Sequence, residues 1–248
     1  MHLHVESEGQ GRDVVLLHGW GMSGKCWAPV SCGLAQRFRV HRVDLPGHGS
    51  SGHCSGDWVE VLAQAFPSEV FLCGWSLGGQ LALQWAEKYP ERIGRLALVS
   101  GTPAFVSRGD WAHGISEEIF SEFADALESN PEATLKRFLW LQARGGEDAA
   151  GLFRKLQGYL EKTETAALKK GLDLLLNSDL RQAAQSVARP ALILHGECDR
   201  LTPIAAGKWL AENMPDGRLE SISGCAHVPF ISHPECFVSK LTEFFDES

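Results

Sequence analysis

The stretch "FLCGWSLGGQLALQWA", residues 71–86, decides the fold. The apolar run Phe71-Leu72-Cys73 stops at Gly74, a lone Ser76 follows, and Gly78-Gly79 open a segment with helical character. Gly74-Trp75-Ser76-Leu77-Gly78 fits G-x-S-x-G, the pattern of a nucleophile held on a tight strand-to-helix turn. Side chains two residues either side of the serine would collide with the adjoining strand and helix, and glycine at 74 and 78 avoids this; Gly79 lets the helix pack closely. The turn lifts the Ser76 hydroxyl clear of the sheet and sets it at a helix N-terminus. There the dipole and free N–H groups favour a developing anion. Five residues alone also fit an ordinary strand–helix turn, so the rest of the chain must supply partners.

Outward from that turn, short β-rich runs alternate with helical patterns. "DVVLLHG" (13–19), "RVHRVDL" (39–45), "EVFLCGW" (69–75), "RLALVSG" (95–101), "PALILHG" (190–196) and "GRLESIS" (217–223) read as strands. Most are continuously apolar, as parallel strands covered on both faces must be. "LGGQLALQWAEKYP" (77–90), "PIAAGKWLAENMP" (203–215) and the C-terminal "HPECFVSKLTEFFDES" (233–248) read as helices. The alternation predicts an α/β fold with a mostly parallel central sheet flanked by helices. It breaks between Phe105 and Arg189, where four segments carry helical spacing and no strand is evident. The expected organisation is a core from residues 1–104 and 190–248, with an all-helical insertion over 105–189.

A serine nucleophile needs a base, and the base needs an orienting acid. "GECDRLTP" places Asp199 after one strand, and "GCAHVPF" places His227 after the next. In open α/β sheets, sites form outside the carboxyl ends of strands, so the three loops should converge on one edge. Asp44 is the chief competitor for the acid. Of ten histidines, His2, His4, His41, His53 and His113 have no motif around them, His195 falls within a strand, and His233 starts a helix. The oxyanion hole should use the Leu77 N–H with the Trp20 N–H from "LLHGWGMS" (16–23), where Gly19 and Gly21 let the backbone turn.

Composition narrows the function classes. The net charge of −8 argues against a nucleic-acid partner, which needs a basic face. No run of 18 apolar residues suggests a membrane span, and the polar, acidic start does not read as a secretory signal. Seven scattered cysteines, with no C-x-x-C pair, suit reduced thiols in a cytoplasmic protein better than a zinc site or disulfide framework.

Together "HGWG", "DLPGHGSS" (44–51), "GWSLGG", "GECDRLTP" and "CAHVPFISHP" resemble the α/β-hydrolase superfamily over essentially the whole chain. Trp20, Trp75, "RFLWLQ" (137–142), "DLRQ" (179–182) and "AHVPFISHP" (226–234) are most similar to BioH-type pimeloyl-[acyl-carrier protein] methyl ester esterases of biotin synthesis. That resemblance implies an α/β-hydrolase fold with a helical cap. It also implies Ser76 as nucleophile, Asp199 and His227 as its partners, and Trp20 and Leu77 as oxyanion donors. The substrate would meet Trp20, Ser76, Leu77, His227 and a wall of Phe138, Leu139, Trp140, Leu141 and Gln142, although consecutive side chains cannot all face one way. The implied partner is an acyl-carrier protein and the implied state a monomer, with no metal and no cofactor.

Carrier binding conflicts with the chain's own acidity unless positive charge is local. Lys136, Arg137, Arg144, Arg154 and Lys155 oppose only Glu147 and Asp148, a local balance of +3. Arg137 and Arg154 are therefore candidate carrier-docking residues, the other reading being an ordinary solvated helix face. Two competing functions share the triad: a carboxylesterase or lactonase for small free esters, and a hydrolase-fold ligand-binding receptor.

Overall fold

A computed structural model describes residues 2–247. The strands are β1 (Val5–Glu8), β2 (Asp13–Leu17), β3 (Arg39–Val43), β4 (Val70–Trp75), β5 (Ile93–Val99), β6 (Ala191–Gly196) and β7 (Gly217–Ile222). The helices are α1 (Ala28–Leu34), α2 (Trp58–Ala65), α3 (Leu77–Lys88), α4 (Glu117–Ser129), α5 (Pro131–Ala143), α6 (Ala149–Gly158), α7 (Thr165–Asn177), α8 (Arg181–Ser186), α9 (Ile204–Asn213), α10 (Pro229–Ser232) and α11 (Pro234–Asp246). One sheet runs β1-β3-β2-β4-β5-β6-β7, antiparallel only between β1 and β3.

Strand alternation divides the apolar residues between two cores. Val14, Leu16, Cys73, Val99 and Leu194 enter one; Val15, Leu17, Leu72, Leu98 and Ile193 enter the other. Helices α1, α10 and α11 close the first through Leu34, Phe230, Phe237 and Leu241, while α2, α3, α8 and α9 close the second through Leu62, Leu81, Trp85, Ala184 and Leu210. Each Val, Leu, Ile or Phe among them contributes about 1.5–3 kcal/mol of burial free energy. With both faces dry, the central strands have no polar face to display, which is why they read as unbroken apolar runs.

Helices α4–α8 all lie between β5 and β6. Their starts are set by capping: Ser116 Oγ accepts from Ile119 N, Asn130 Oδ1 from Ala133 N, and Asp148 Oδ1 from Gly151 N. This insertion rests on the loops that leave the sheet. A Cβ at Gly21 would meet Leu135 Cδ2 at 2.6 Å, one at Gly47 would meet Ala167 Cβ at 2.5 Å, and one at Gly145 would meet the Cys198 carbonyl at 2.3 Å. The insertion also feeds both cores, Phe138 and Leu168 joining one and Leu139 and Leu156 the other.

Strand β1 and helices α1, α2, α8 and α10 were not expected from the sequence. β1 is an edge strand, "VESE", with Glu6 beside Arg42 instead of a core, so it shows no buried-strand signal. α8 spans only six residues, and α1 contains Pro29 and Gly33, poor helix formers that leave little periodic signal.

Candidate active site

Ser76 sits between β4 and α3 at φ 55°, ψ −116°, a region costly for a residue with a Cβ, about 1–3 kcal/mol. The surroundings compel it. Ser76 N–H donates to the Val99 carbonyl (3.0 Å) and the Ser76 carbonyl accepts from Gly79 N–H (2.9 Å). A Cβ at Gly74 would come within 2.2 Å of the Gly78 carbonyl oxygen, and one at Gly78 within 2.4 Å of the Leu17 carbonyl oxygen. Both glycines are thus required by backbone, not by flexible neighbours.

Asp199 and His227 leave the carboxyl ends of β6 and β7. Asp199 Oδ2 accepts from His227 Nδ1 (2.8 Å), and both side chains are fully buried. Asp199 Oδ1 accepts the Leu201 and Thr202 backbone N–H groups (2.9 and 3.0 Å), and the Thr202 hydroxyl lies 2.9 Å from Oδ2. Burial pushes this carboxyl up, but attraction to His227, the His227 hydrogen bond, His195 and the Thr202 N–H outweigh it and hold the carboxyl below its ordinary value. Nε2 on the far edge of His227 is buried with no partner among the described residues. A proton-accepting base must present such a nitrogen, and in unliganded enzymes its bond to the nucleophile commonly tightens only with substrate bound.

Trp75 binds the His227 loop to the nucleophile turn. Its Nε1 donates to the His227 carbonyl (2.9 Å), its ring lies 5.7 Å from the imidazole, and a Cβ on Gly19 would touch it at 3.1 Å. On the opposite side, His227 N–H donates to the Gln142 carbonyl at 3.2 Å, so α5 also fixes this loop.

The Trp20 backbone N–H has no backbone acceptor among the described residues, and Leu77 N–H opens α3 with none either. Gly21, at φ 72°, turns the chain after Trp20. The Trp20 indole is clamped from above: Nε1 donates to the Leu168 carbonyl (2.8 Å), and Phe138 and Phe123 stand edge-on at 5.0 and 5.5 Å. The loop before Trp20 is braced by His18, whose Nε2 accepts Leu45 N–H (2.9 Å) while Nδ1 donates to the Gly19 carbonyl (2.8 Å). Burial pulls the His18 imidazole down to about 4, so it serves as a neutral strut.

The five side chains from Phe138 to Gln142 do not share one surface. Phe138 meets Trp20, and Leu139 packs in the other core with Phe230. Leu141 is half-buried, and Gln142 is buried with Oε1 unpartnered among the described residues. Trp140 is 43% exposed and stands edge-on to Phe153 at 5.6 Å. Arg137 and Arg154 are exposed. Asp44, the competing acid, is occupied elsewhere: Oδ1 accepts Gly24 N–H (2.7 Å) and Oδ2 accepts Ser50 N–H (2.9 Å), stitching two loops. His195 lies in β6 with Nε2 donating to the Thr202 carbonyl (2.7 Å), and burial holds it below its ordinary value.

Sequence reasoning missed Thr202 and the structural part played by Trp75. Asp199-x-x-Thr202 is the pattern of a side chain capping its own loop, and could have flagged the threonine. Nothing local announces that Trp75 reaches a carbonyl 152 residues away.

Curated relatives span almost the whole chain. One from Nitrosomonas europaea, named pimeloyl-[acyl-carrier protein] methyl ester esterase, is 42% identical over 244 residues, covering 96% of this chain and 97% of that protein. A second of the same name, from Chromobacterium violaceum, is 42% identical over 251 residues and covers 99% of each. Among solved structures, an esterase from Exiguobacterium antarcticum matches with TM-score 0.90 at 22% identity, over 99% of this chain and 96% of that one, a likeness of fold. Residues 14–239 match the alpha/beta hydrolase family, and with these relatives they place the chain in it: it belongs to the alpha/beta hydrolase family.

Proposed function

We propose that this chain is a serine carboxylesterase that hydrolyses the methyl ester of pimeloyl-[acyl-carrier protein], releasing methanol and the free terminal carboxylate, a step of biotin biosynthesis. The chemistry rests on the buried Asp199–His227 pair at 2.8 Å, tied through Trp75 to the turn that holds the strained Ser76. The substrate rests on the full-length relatives of that name.

In this reading His227 Nε2 takes the Ser76 proton as Oγ attacks the methyl ester carbonyl. The Trp20 and Leu77 N–H groups hold the oxyanion, a contribution of about 3 kcal/mol per donor. Collapse of the tetrahedral species breaks the bond to methoxide, which leaves as methanol with the proton from His227. Water, deprotonated by the same imidazole, attacks the acyl-enzyme, and Ser76 leaves with its proton restored. Asp199, held by Thr202 and the Leu201 N–H, fixes the Nδ1–H tautomer and stabilises the imidazolium.

Residues 105–189 would act as a helical cap whose inner face, from Phe138, Leu141 and Gln142, receives the acyl chain. Arg137 and Arg154 would meet the acidic carrier. No helix among the described residues is long and apolar enough to cross a membrane. The free thiols suit a reducing cytoplasm, and one chain supplies every group the mechanism needs, so a monomer suffices. The test compares kcat/KM for carrier-linked pimeloyl methyl ester with that for a p-nitrophenyl butyrate. Preference for the carrier-linked ester supports the reading, whereas preference for the butyrate supports a small-ester esterase. A Ser76 inert to fluorophosphonate in folded protein supports a receptor.

A further inference from the structure

We propose that Trp140 is the apolar anchor of a docking surface on the outer face of α5 and α6, built for an acidic carrier protein. The inference rests on the proposed carrier-linked substrate and adds to it the residue that grips the carrier. Trp140 and Ile119 are the large hydrophobic side chains left exposed among the described residues, at 43% and 57%. An isolated exposed apolar residue is ordinary. Trp140 is not isolated, because exposed cations lie one helical turn to either side of it in the sequence.

Lys136 and Arg137 lie one turn before it on α5, and Arg144 one turn after. The aromatic pair with Phe153 carries the surface onto α6, where Arg154 and Lys155 follow directly. All five cations are exposed, and among the described residues none pairs with a carboxylate. The nearby carboxylates are turned to backbone: Asp148 caps α6 through Gly151 N–H, and Glu147 packs on Gly224. An exposed tryptophan with unpaired cations one helical turn before and after it, on a chain of net charge −8, has the composition of a binding hot spot for a negative partner.

Helix α5 also links this surface to the site. Two residues beyond Trp140, the Gln142 carbonyl holds the His227 N–H, and two before it Phe138 packs on Trp20. A carrier seated on the outer face therefore delivers its acyl group against the inner face of the same helix.

The test is Trp140→Ala, assayed on carrier-linked pimeloyl methyl ester and on free dimethyl pimelate, with Kd for the carrier protein without its acyl group measured in parallel. The expected result is a tenfold or greater loss of kcat/KM on the carrier-linked ester through KM, a matching rise in Kd that persists at 0.5 M salt, and an unchanged rate on dimethyl pimelate. Arg137→Glu should show a loss that salt erases in the wild-type comparison. Unchanged KM and Kd in Trp140→Ala, or equal losses on both esters, would overturn the proposal. Sedimentation of the chain alone adds a further outcome: a dimer dissociated by Trp140→Ala would assign the face to self-association and overturn it too. Failure of the substrate reading looks different, since wild type itself would then not hydrolyse the carrier-linked ester.

Discussion

Replacing Asp199 by Asn reverses the polarity of the hydrogen bonds around the acid, and the structure dictates where each atom of the amide must go. Oδ1 accepts two backbone N–H groups, from Leu201 and Thr202, which cannot turn around. The amide oxygen must take that place, so the NH2 group faces His227 Nδ1 and the Thr202 hydroxyl. Thr202 can adapt by accepting from the amide and donating to the Ser100 carbonyl, 3.0 Å away. His227 can adapt only by making Nδ1 the acceptor, which moves its proton to Nε2 and leaves no base for Ser76. A wrong-tautomer imidazole costs about 10^4 in kcat, or roughly 5.5 kcal/mol of barrier. Hydrolysis of a free p-nitrophenyl ester measures the loss, and nitrogen NMR of the imidazole reads the tautomer. A loss below tenfold, or an Nδ1–H tautomer retained in the folded variant, would refute the reasoning.

Gly78→Ala should lower the urea midpoint by more than the equivalent of about 3 kcal/mol and abolish activity, because its Cβ would lie 2.4 Å from a backbone carbonyl oxygen that has nowhere to move. Trp75→Phe deletes the donor to the His227 carbonyl and should cost about 1–3 kcal/mol in stability together with a fall in kcat at constant KM; a stability loss with normal kcat would mean Trp75 only fills space. Burial depresses His18 to about 4 and His48 to about 3 from 6.5, so the unfolded chain takes up protons first as pH falls. Their stabilisation is full above pH 6.5 and drains away toward pH 4, at up to about 1.4 kcal/mol per pH unit for each group. Urea midpoints at pH 7, 5.5 and 4.5 should fall steeply, and His48→Asn should flatten the slope; an equal slope in the variant would mean the load lies elsewhere.

The readable parts of the sequence were those whose constraint is local. The turn at Ser76 was legible because its strain forces glycine at 74 and 78, and the loops carrying Asp199 and His227 because each directly follows a strand. β1 was silent because an edge strand of alternating glutamates buries almost nothing. The facing of Phe138–Leu141 was equally silent, since four consecutive apolar residues wrap around a helix and only its neighbours decide which side is wet. Trp140 turned outward and Leu139 into the second core for that reason. Trp75 acts across a long separation in the chain, where a single sequence carries no trace of the contact, whereas Thr202 binds Asp199 only three residues away and left a local pattern that went unread.

Carrier-linked pimeloyl methyl ester offers two acyl bonds to the same nucleophile, and the product distinguishes them. Attack at the ester frees methanol and leaves the thioester intact; attack at the thioester frees the carrier thiol and leaves the methyl group in place. Quantifying methanol and free thiol per turnover, with wild type and Ser76→Ala, tests the central claim most directly. The account predicts one methanol per turnover, no thiol, and loss of the background-corrected methanol signal in Ser76→Ala. Thiol release without methanol, or methanol release that survives Ser76→Ala, would contradict it.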